Sequence, residues 1–347
     1  MIIYNNKLFI REELNGVTVY EKATNLYMFY EGLGMNVFDG LSSIREVKKI
    51  LSANAYRINR NISFSMPFRV NWLIEEKCNL DCIYCFANDK MQEYETKDNI
   101  LATAKHILDL GIINVGISGG EPTLSPFLED ILESFNGKCS LNIDTNGTLP
   151  SLRKNANLLK QANALVRITL DATEPELLAK LRPGKNPDFD QLSEIYMNIT
   201  ELQQVGVPLM VHTVITKYNI GHLEKIAGKL VDLGVKRWHL YGVNYSEKCK
   251  DFYNSIKVTN NEIETTYLSI KEKYGDKINM SVYFDEGNYS ANSVILIDSK
   301  GRFFLDSIKE GISYIGNDPR KPTLAEIKDT LDIKMHCFGY LWIPDLI

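Results

Sequence analysis

The chain has 347 residues, 44% of them hydrophobic, and its formal net charge is -5. This length fits one large domain or two to three smaller ones, and the apolar fraction is sufficient for buried cores. The negative charge gives no general attraction to nucleic acid or to anionic membranes, so we expect neither as a partner.

The opening stretch, MIIYNNKLFIREEL, contains charges and lacks the continuous apolar segment of a signal peptide. No apolar run elsewhere approaches the roughly 20 residues that a spanning helix needs. We therefore expect a cytoplasmic protein. Thiols are kept reduced in that compartment, so a cluster among the six cysteines indicates metal binding or catalysis.

Residues 1–62 are predicted to form a small module that begins with three strands, at residues 7–13, 17–21 and 25–31. The first two strands flank Asn15 and Gly16, a pair typical of the type I′ hairpin turn, in which both positions need a positive φ. Further along, Ser43 and Glu46 have the spacing of a helix capping box. The module is thus predicted as three strands followed by one or two short helices.

Residues 68–257 alternate short apolar runs with amphipathic stretches. The apolar runs are at residues 69–74, 114–118, 141–144, 166–171, 209–215 and 238–243. Two of the helical stretches between them are followed by Gly111 and Gly234, which suit a helix C-terminus. This pattern predicts an α/β fold, a partial (β/α)6 TIM barrel with its site at the carboxyl ends of the strands.

Residues 258–347 are expected to form a small α+β extension, because the βα repeat stops near residue 258. A helical stretch comes first. Extended runs at residues 281–285, 293–298 and 302–305 follow, and Ser299, Lys300 and Gly301 predict a turn between the last two.

Three of the six cysteines, Cys78, Cys82 and Cys85, lie within eight residues directly after the first barrel strand. Such a loop can direct three thiolates to three irons of a four-iron cluster and leave the fourth iron open to an external ligand. The alternative is a structural zinc site. It would need a fourth ligand, for which His106, Cys139 and Cys337 are the candidates.

The CxxxCxxC spacing, with Tyr84 just before the last cysteine, resembles the signature of the radical SAM superfamily. The resemblance implies one 4Fe-4S cluster on Cys78, Cys82 and Cys85 that binds S-adenosylmethionine (SAM) through its open iron. Reduction by an external flavodoxin or ferredoxin-like donor would then release a 5′-deoxyadenosyl radical. The protein would position and shield that radical.

The resemblance also assigns SAM contacts to residues near the ends of the barrel strands. These are Tyr84, Gly119, Gly120, Glu121, Pro122, Asp144, Asn146, Thr169, Asp171, Arg182, Thr213, Asn219 and Tyr241. In the GGEP segment, Glu121 would accept from the methionine ammonium, and Arg182 would pair with the methionine carboxylate. Three of these assignments have structural alternatives. The TNG segment is then a simple turn with Gly147 at positive φ, Arg182 is an ordinary surface arginine, and Tyr241 is a core aromatic. His212 is expected to be a packed strand residue.

Residues 1–62 resemble the winged-helix-like peptide-binding module, similar to the carrier protein of pyrroloquinoline quinone biosynthesis, of SPASM/twitch-type maturases. Those enzymes modify ribosomally synthesised precursor peptides. The resemblance implies that a leader peptide adds to the edge of the third strand, from Asn25 to Glu31. A DNA-binding winged helix is the rival, but eight Lys or Arg against six Asp or Glu is a small surplus. A purely structural domain is a further alternative.

Residues 258–347 resemble a degenerate twitch or SPASM domain, because the cysteines that would hold auxiliary clusters are missing and Asp306 stands near one expected position. Cys249 and Cys337 are candidate hydrogen donors for an epimerisation, or ordinary buried thiols, and Cys139 is expected to be a packed small residue. The sequence therefore predicts a radical SAM enzyme that abstracts hydrogen from a precursor peptide. The alternatives are a small-molecule substrate, or a zinc-stabilised regulator with a DNA-binding head.

Overall fold

The structure is a computed structural model that describes residues 1–4, 7–22, 26–58, 67–85, 95–186, 189–245, 249–284, 294–307 and 311–331. Its strands are β1 (Ile2–Tyr4), β2 (Leu8–Glu13), β3 (Gly16–Glu21), β4 (Leu26–Glu31), β5 (Arg69–Glu75), β6 (Asn114–Gly119), β7 (Ser140–Thr145), β8 (Leu165–Thr169), β9 (Leu209–Ile215), β10 (Arg237–Gly242), β11 (Asn279–Tyr283), β12 (Leu296–Ile297), β13 (Phe303–Ser307) and β14 (Gly311–Tyr314). Its α-helices are α1 (Ile44–Ala53), α2 (Lys97–Asp109), α3 (Leu128–Phe135), α4 (Ser151–Lys154), α5 (Ala156–Gln161), α6 (Pro175–Leu181), α7 (Gln191–Val205), α8 (Leu223–Asp232), α9 (Tyr253–Ile256), α10 (Asn260–Tyr274) and α11 (Leu324–Thr330). None of the helices in this part of the chain is long and apolar enough to cross a membrane.

Strands β1 to β4 form an antiparallel sheet in chain order. Three of them, β2, β3 and β4, correspond to the predicted strands, although Asn25 lies outside the described residues. Strand β1 was not predicted, because three residues are too few to show an alternating pattern. Helix α1 begins as predicted, since Ser43 Oγ accepts from Glu46 N while the Glu46 carboxylate accepts from Ser43 N.

The hairpin turn between β2 and β3 differs from the prediction. Glu13 pairs with Gly16, so the loop consists of Leu14 and Asn15, and neither Asn15 nor Gly16 has a positive φ. The structure requires glycine at position 16 for another reason. A Cβ there would lie 2.2 Å from Tyr30 O on the neighbouring strand β4.

The second sheet has ten strands in the order β11-β10-β9-β8-β7-β6-β5-β12-β13-β14. The six predicted barrel strands are β5 to β10, and all are parallel. The predicted end of the repeat near residue 258 is wrong, because α10 and β11 add another βα unit and β11 pairs in parallel with β10. An extended run at residues 281–285 was predicted, but its parallel pairing with β10 is a long-range contact that the sequence pattern does not show.

The C-terminal segment joins the other side of the same sheet. Strand β12 pairs in parallel with β5, and β13 and β14 follow as antiparallel strands. The predicted turn lies between β12 and β13, with Gly301 at φ +75°. The extension is therefore continuous with the barrel sheet. The result is a mixed α/β fold with a large parallel sheet.

Each strand of the parallel sheet has one apolar face. The side chains of that face pack with the helices in one buried core, which includes Val70, Trp72, Ile143 and Val166. The alternating residues on the opposite face, here called the inner face, are mostly polar or aromatic. They include Asn71, Asn142, Asp144, Arg167, His212, His239 and Tyr241.

The N-terminal module packs against the amino ends of the barrel strands. The Tyr20 and Tyr27 rings stack with centroids 4.4 Å apart, and the Tyr27 and Phe68 centroids are 4.3 Å apart. Asn114 Nδ2 donates to the Tyr20 hydroxyl at 3.4 Å. Because Phe68 precedes β5 and Asn114 begins β6, the module lies at the end of the sheet opposite to the loops that follow the strands.

Arg11 gives a test of this docking. Its guanidinium is buried, pairs with Glu13, and donates to Pro67 O at 2.8 Å and Gly111 O at 3.0 Å. Arg11→Met removes a buried cation from a buried carboxylate, so we expect the free energy of unfolding to fall by about 3 kcal/mol in urea titrations. Arg45→Met, at an exposed position of α1, is the control. Equal stability of the two variants would contradict this packing.

Candidate active site

The three cysteines lie in the loop after β5, here called the cysteine loop (residues 78–85), and all three are half-buried. The backbone of the segment after α6 holds this loop from one side. Asp81 N donates to Pro183 O at 2.8 Å, and Ile83 N donates to Leu181 O at 3.0 Å. An antiparallel bridge joins Leu80 to Gly184. The loop is therefore fixed by main-chain contacts that do not involve the thiols.

Two hydrogen-bond donors approach the Cys78 thiol, and burial acts on the ionisation of two of the three cysteines. Cys78 Sγ accepts from Leu80 N at 3.5 Å and from Asn146 Nδ2 at 3.7 Å. Burial raises the pKa of the Cys82 thiol to about 12, and it also raises the pKa of Cys78. Burial by itself thus favours the neutral thiol, and a metal that bound these cysteines would deprotonate them.

The arrangement does not suit a single metal ion. Among the residues that the structure describes, no three His, Cys, Asp or Glu side chains converge on one ion position. A zinc ion would need its ligands around one point, whereas a 4Fe-4S cluster takes each thiolate on a different iron. The described residues therefore offer no ligand set for the zinc alternative, and its candidate ligand Cys337 lies outside them.

The GGEP segment after β6 packs directly against the chain that leads into the cysteine loop. Gly120 N donates to Glu75 O at 2.7 Å, and Glu121 N donates to Lys77 O at 2.9 Å. A Cβ at Gly119 would lie 2.0 Å from Glu75 O, and one at Gly120 would lie 2.4 Å from Lys77 O. Both glycines are thus required by close approach of two backbone segments.

Glu121 is fully buried, and the structure gives it a different task from the predicted contact with an ammonium group. One carboxylate oxygen accepts from Thr123 N at 3.0 Å, Thr123 Oγ1 at 2.6 Å and Thr145 Oγ1 at 2.8 Å. The other accepts from Asn146 N at 2.7 Å. Burial raises the pKa of this carboxyl group, and these donors oppose the rise. Glu121 therefore ties the GGEP segment to the loop after β7.

That loop continues from Asp144 through the TNG turn (Thr145, Asn146 and Gly147). Asn146 Nδ2 donates to Asn79 Oδ1 at 2.8 Å as well as to the Cys78 thiol, and its Oδ1 accepts from Thr148 N at 2.9 Å. Gly147 has a φ of +72°. The turn is thus both a positive-φ turn and a direct neighbour of a cluster cysteine.

Tyr84 of the cysteine loop forms a group with two fully buried side chains, Asp171 and Arg182. The Tyr84 hydroxyl donates to Asp171 Oδ2, and Asp171 Oδ1 accepts from Val214 N at 2.8 Å. Arg182 lies 3.8 Å from the same carboxylate. Burial raises the pKa of Asp171, while Arg182 and the hydrogen bonds act in the opposite direction. This group anchors the loop to the ends of β8 and β9.

Arg182 was predicted to bind the methionine carboxylate, yet its side chain is fully buried. Its guanidinium donates to Thr169 O at 2.6 Å and to Asn146 O at 2.7 Å. Its Nε is buried and has no partner. The structure therefore uses Arg182 to join the ends of β7 and β8, and leaves one donor of the guanidinium unused.

Thr213 and Asn219, also predicted as cofactor contacts, are fully buried. Thr213 Oγ1 donates to Leu170 O at 2.6 Å and accepts from Trp238 Nε1 at 2.9 Å. Asn219 Nδ2 donates to Asp171 O at 3.0 Å, and its Oδ1 accepts from Thr216 N at 2.7 Å. Both side chains use their hydrogen-bonding groups within the protein. The predicted Pro122 begins a short 3-10 helix and is buried, whereas Thr169 is half-buried at the end of β8.

Tyr241 belongs to an aromatic group on the inner face. Its ring stacks on Tyr283 with centroids 4.9 Å apart, and it lies 5.1 Å from the His212 ring. His239 lies parallel to His212 at 5.7 Å. Burial lowers the pKa of His239 to about 4 and holds the pKa of His212 well below its usual value. His239 and Tyr283 were not predicted as site residues. On β10 and β11 polar or aromatic residues alternate with apolar ones, and this pattern is present in the sequence.

Cys139 and Cys249 are not part of this constellation. Cys249 is fully buried, and its thiol donates to Asn244 O at 3.7 Å. Cys337 lies outside the described residues. Cys139 is buried in the main core just before β7, and burial raises its pKa to about 12. The hydrogen-donor role of Cys249 and Cys337 stays a prediction.

Residues 73–230 match the family model described as the Radical SAM superfamily. An uncharacterized protein of Methanocaldococcus jannaschii is 28% identical over 280 residues, covering 74% of this chain and 91% of that protein. A probable GTP 3',8-cyclase of the same organism is 29% identical over 55% of this chain and 64% of its own length. An S-adenosylmethionine-dependent nucleotide dehydratase of Flammeovirga pacifica is 25% identical over 68% of this chain and 81% of that protein.

Solved structures with a similar fold include Streptococcus suis SuiB bound to S-adenosylmethionine. It has a TM-score of 0.68 at 14% identity and covers 98% of this chain and 90% of that chain. The anSMEcpe structure with bound AdoMet and the Cp18Cys peptide has a TM-score of 0.60 at 18% identity, over 78% and 84% of the two chains. At these identities the similarity concerns the fold.

The Glu121 contacts yield a test of the site. In Glu121→Gln, an amide nitrogen must face either Asn146 N or Thr123 N, and two donors then meet. We expect about 2 kcal/mol lower stability and less iron and sulfide per chain after anaerobic reconstitution. Glu129→Gln, at an exposed position of α3, is the matched control. Full cluster loading and unchanged stability in Glu121→Gln would show that the carboxylate does not hold these loops.

The family match begins within β5 and ends within α8. It includes the cysteine loop, the GGEP segment, the TNG turn and the buried group of Tyr84, Asp171 and Arg182. Radical SAM enzymes hold a 4Fe-4S cluster and SAM, which is the chemistry that the three half-buried thiols fit. Residues 73–230, which are 158 of the 347 residues, thus match the radical SAM superfamily.

Proposed function

We propose that this radical SAM enzyme modifies a residue of a ribosomally synthesised precursor peptide, whose leader binds to the N-terminal module. The observation that carries the proposal is the four-stranded module docked on the barrel with β4 at its edge. The fold similarity to SuiB extends over this module, because it covers 98% of the chain. SuiB itself has been solved bound to the precursor peptide SuiA.

In this proposal Cys78, Cys82 and Cys85 hold one 4Fe-4S cluster, with an external flavodoxin or ferredoxin-like protein as its electron donor. The cluster and SAM together supply a 5′-deoxyadenosyl radical that can abstract hydrogen. The chain fixes the cluster ligands, since Leu80 N and Asn146 Nδ2 donate to the Cys78 sulfur. Such donors stabilise a thiolate.

Of the thirteen predicted SAM contacts, all but Asp144 and Tyr241 fall into two groups. The backbone of Gly119 and Gly120, together with Tyr84, Asn146 and Thr169, borders the half-buried cysteine loop and is proposed to face the cofactor. The buried residues Glu121, Pro122, Asp171, Arg182, Thr213 and Asn219 are proposed to support these contacts from behind, because their side chains are buried within the protein. Arg182 Nε is buried and has no hydrogen-bond partner among the described residues.

The proposed leader site is the outer edge of β4, and the chain's own backbone covers part of it. Tyr30 forms an antiparallel bridge with Ile58, and the Arg57 guanidinium donates to Gly32 O at 3.1 Å. A leader would therefore pair with the beginning of β4 or displace Ile58. The module and the cysteine loop lie at opposite ends of the barrel strands. The peptide must then span roughly 20 Å, the length of six extended residues, to reach the site.

A small-molecule substrate is the second candidate. It is favoured by the sequence relatives, which include proteins named GTP 3',8-cyclase and nucleotide dehydratase at 25% to 29% identity. Those comparisons cover 55% and 68% of this chain. The two proposals differ in whether the N-terminal module takes part in substrate binding.

A direct comparison of the two substrates tests the proposal. The reduced, SAM-loaded enzyme is incubated with GTP or with a short precursor peptide encoded beside its gene, prepared with deuterated side chains. We expect a mass change in the peptide and deuterium in 5′-deoxyadenosine, because the radical takes its hydrogen from the substrate. Deleting the leader should lower the modification rate at least tenfold. Conversion of GTP with no change in the peptide would overturn the peptide proposal.

A further inference from the structure

The inner face of the sheet carries polar groups that no described residue satisfies. Asn142 Oδ1 and Asp144 Oδ1 are both buried and have no hydrogen-bond partner. Both side chains lie on the same face of β7, two residues apart. Leu141 and Ile143, which alternate with them along the strand, pack into the core with the helices. Leaving a buried acceptor unsatisfied costs free energy, so this pair indicates a donor that binds there.

The remaining polar atoms of these two residues are engaged. Asn142 Nδ2 donates to Asn114 Oδ1 at 3.2 Å. The second oxygen of Asp144 forms an ion pair with Arg167 on the neighbouring strand β8. The polar atoms of Asp144 and Asn142 that have no partner are therefore both acceptors. Asp144 directly precedes the TNG turn, so this pair lies next to the cysteine loop.

Aromatic rings form the other side of the inner face, on β9 to β11. Tyr241 and Tyr283 are stacked at 4.9 Å with an interplanar angle of 10°, and the His239 ring lies 5.4 Å from Tyr283. All of these side chains are half-buried. A surface of this kind binds a planar ring by stacking or edge contacts.

The charges around this space disfavour an ionic guest. Both histidines carry a lowered pKa, for which burial is the main cause, and Arg167 acts in the same direction on each. They are therefore neutral near pH 7. A cationic guest would be repelled by Arg167 and Arg69, the two arginines that act on His212. An anionic guest would meet the acceptor oxygens of Asp144 and Asn142.

We propose that the inner face between Asp144 and Tyr283 is a subsite for a neutral aromatic side chain that carries a hydrogen-bond donor, namely a tryptophan or tyrosine of the substrate peptide. The ring contacts Tyr241, Tyr283 and His239, and its N–H or O–H donates to Asp144 Oδ1. This inference rests on the proposed peptide function and names the residue class that is placed beside the cysteine loop. Tyr241 and Asp144, which the family resemblance assigns to SAM, then face the substrate.

Binding of blocked amino acids tests the subsite without turnover. N-acetyl amides of tryptophan, tyrosine, phenylalanine, lysine and glutamate are titrated into the reconstituted, SAM-loaded full chain and followed by saturation-transfer NMR. We expect the tryptophan and tyrosine amides to bind about fivefold more tightly than phenylalanine, which lacks the donor. The lysine and glutamate amides should not bind. Equal binding of phenylalanine, or tighter binding of either charged probe, would overturn the inference.

Two pairs of variants make the test specific. In Asp144→Asn, the amide oxygen stays on Arg167 and an N–H group turns towards the subsite, so the preference for donors should disappear. Asp109→Asn, at an exposed position of α2, should keep that preference. Tyr283→Leu should weaken all aromatic probes, and Tyr283→Phe should not. Retained discrimination in Asp144→Asn would contradict the assignment of Asp144 as the acceptor.

The probes contain no leader, so their binding does not depend on the N-terminal module. If the precursor is modified while none of the aromatic probes binds, the subsite is wrong and the peptide function stands. If the probes discriminate as expected while only GTP is converted, the peptide function fails instead. The two proposals are thus judged by separate measurements.

Discussion

The geometry of this site depends on one buried carboxylate. Glu121 lies between the GGEP segment and the TNG turn and accepts four hydrogen bonds from them. A buried carboxylate is costly unless its oxygens are satisfied, and here satisfaction requires both loops to be in place. Because the GGEP backbone also binds Glu75 O and Lys77 O, the same residue fixes the entrance to the cysteine loop. The loops that carry the thiols are thus joined to one another by these hydrogen bonds.

The same logic extends to the other side of the cysteine loop. Asp171 accepts a hydrogen bond from the Tyr84 hydroxyl, and the Arg182 guanidinium donates to the carbonyl oxygens of Thr169 and Asn146. Several residues of the family motifs thus form hydrogen bonds that connect neighbouring loops, and a smaller number lie directly beside the cysteine loop. Replacing one of these supporting residues should change the cluster environment indirectly, through the position of Asn146 or Tyr84.

Much of this could be predicted from the sequence, where the signal is local. The capping box at Ser43, the cysteine spacing and the six apolar runs of the barrel depend on near neighbours in the chain, and each appears in the structure. Strand β11 and the turn at Asn15 and Gly16 were misjudged, because pairing with β10 and the approach of Tyr30 O are long-range facts. A sequence motif likewise does not show whether the Glu121 side chain contacts a ligand or a neighbouring loop.

The central claim is that the three thiols hold a cluster with one iron open to SAM, and electron paramagnetic resonance of the reduced, reconstituted protein tests it directly. The account predicts a 4Fe-4S signal that changes when SAM is added and is lost when Cys78, Cys82 and Cys85 are replaced by alanine, but not in Cys139→Ala. A protein that takes up zinc and gives no such signal, or a signal indifferent to SAM, would contradict the account.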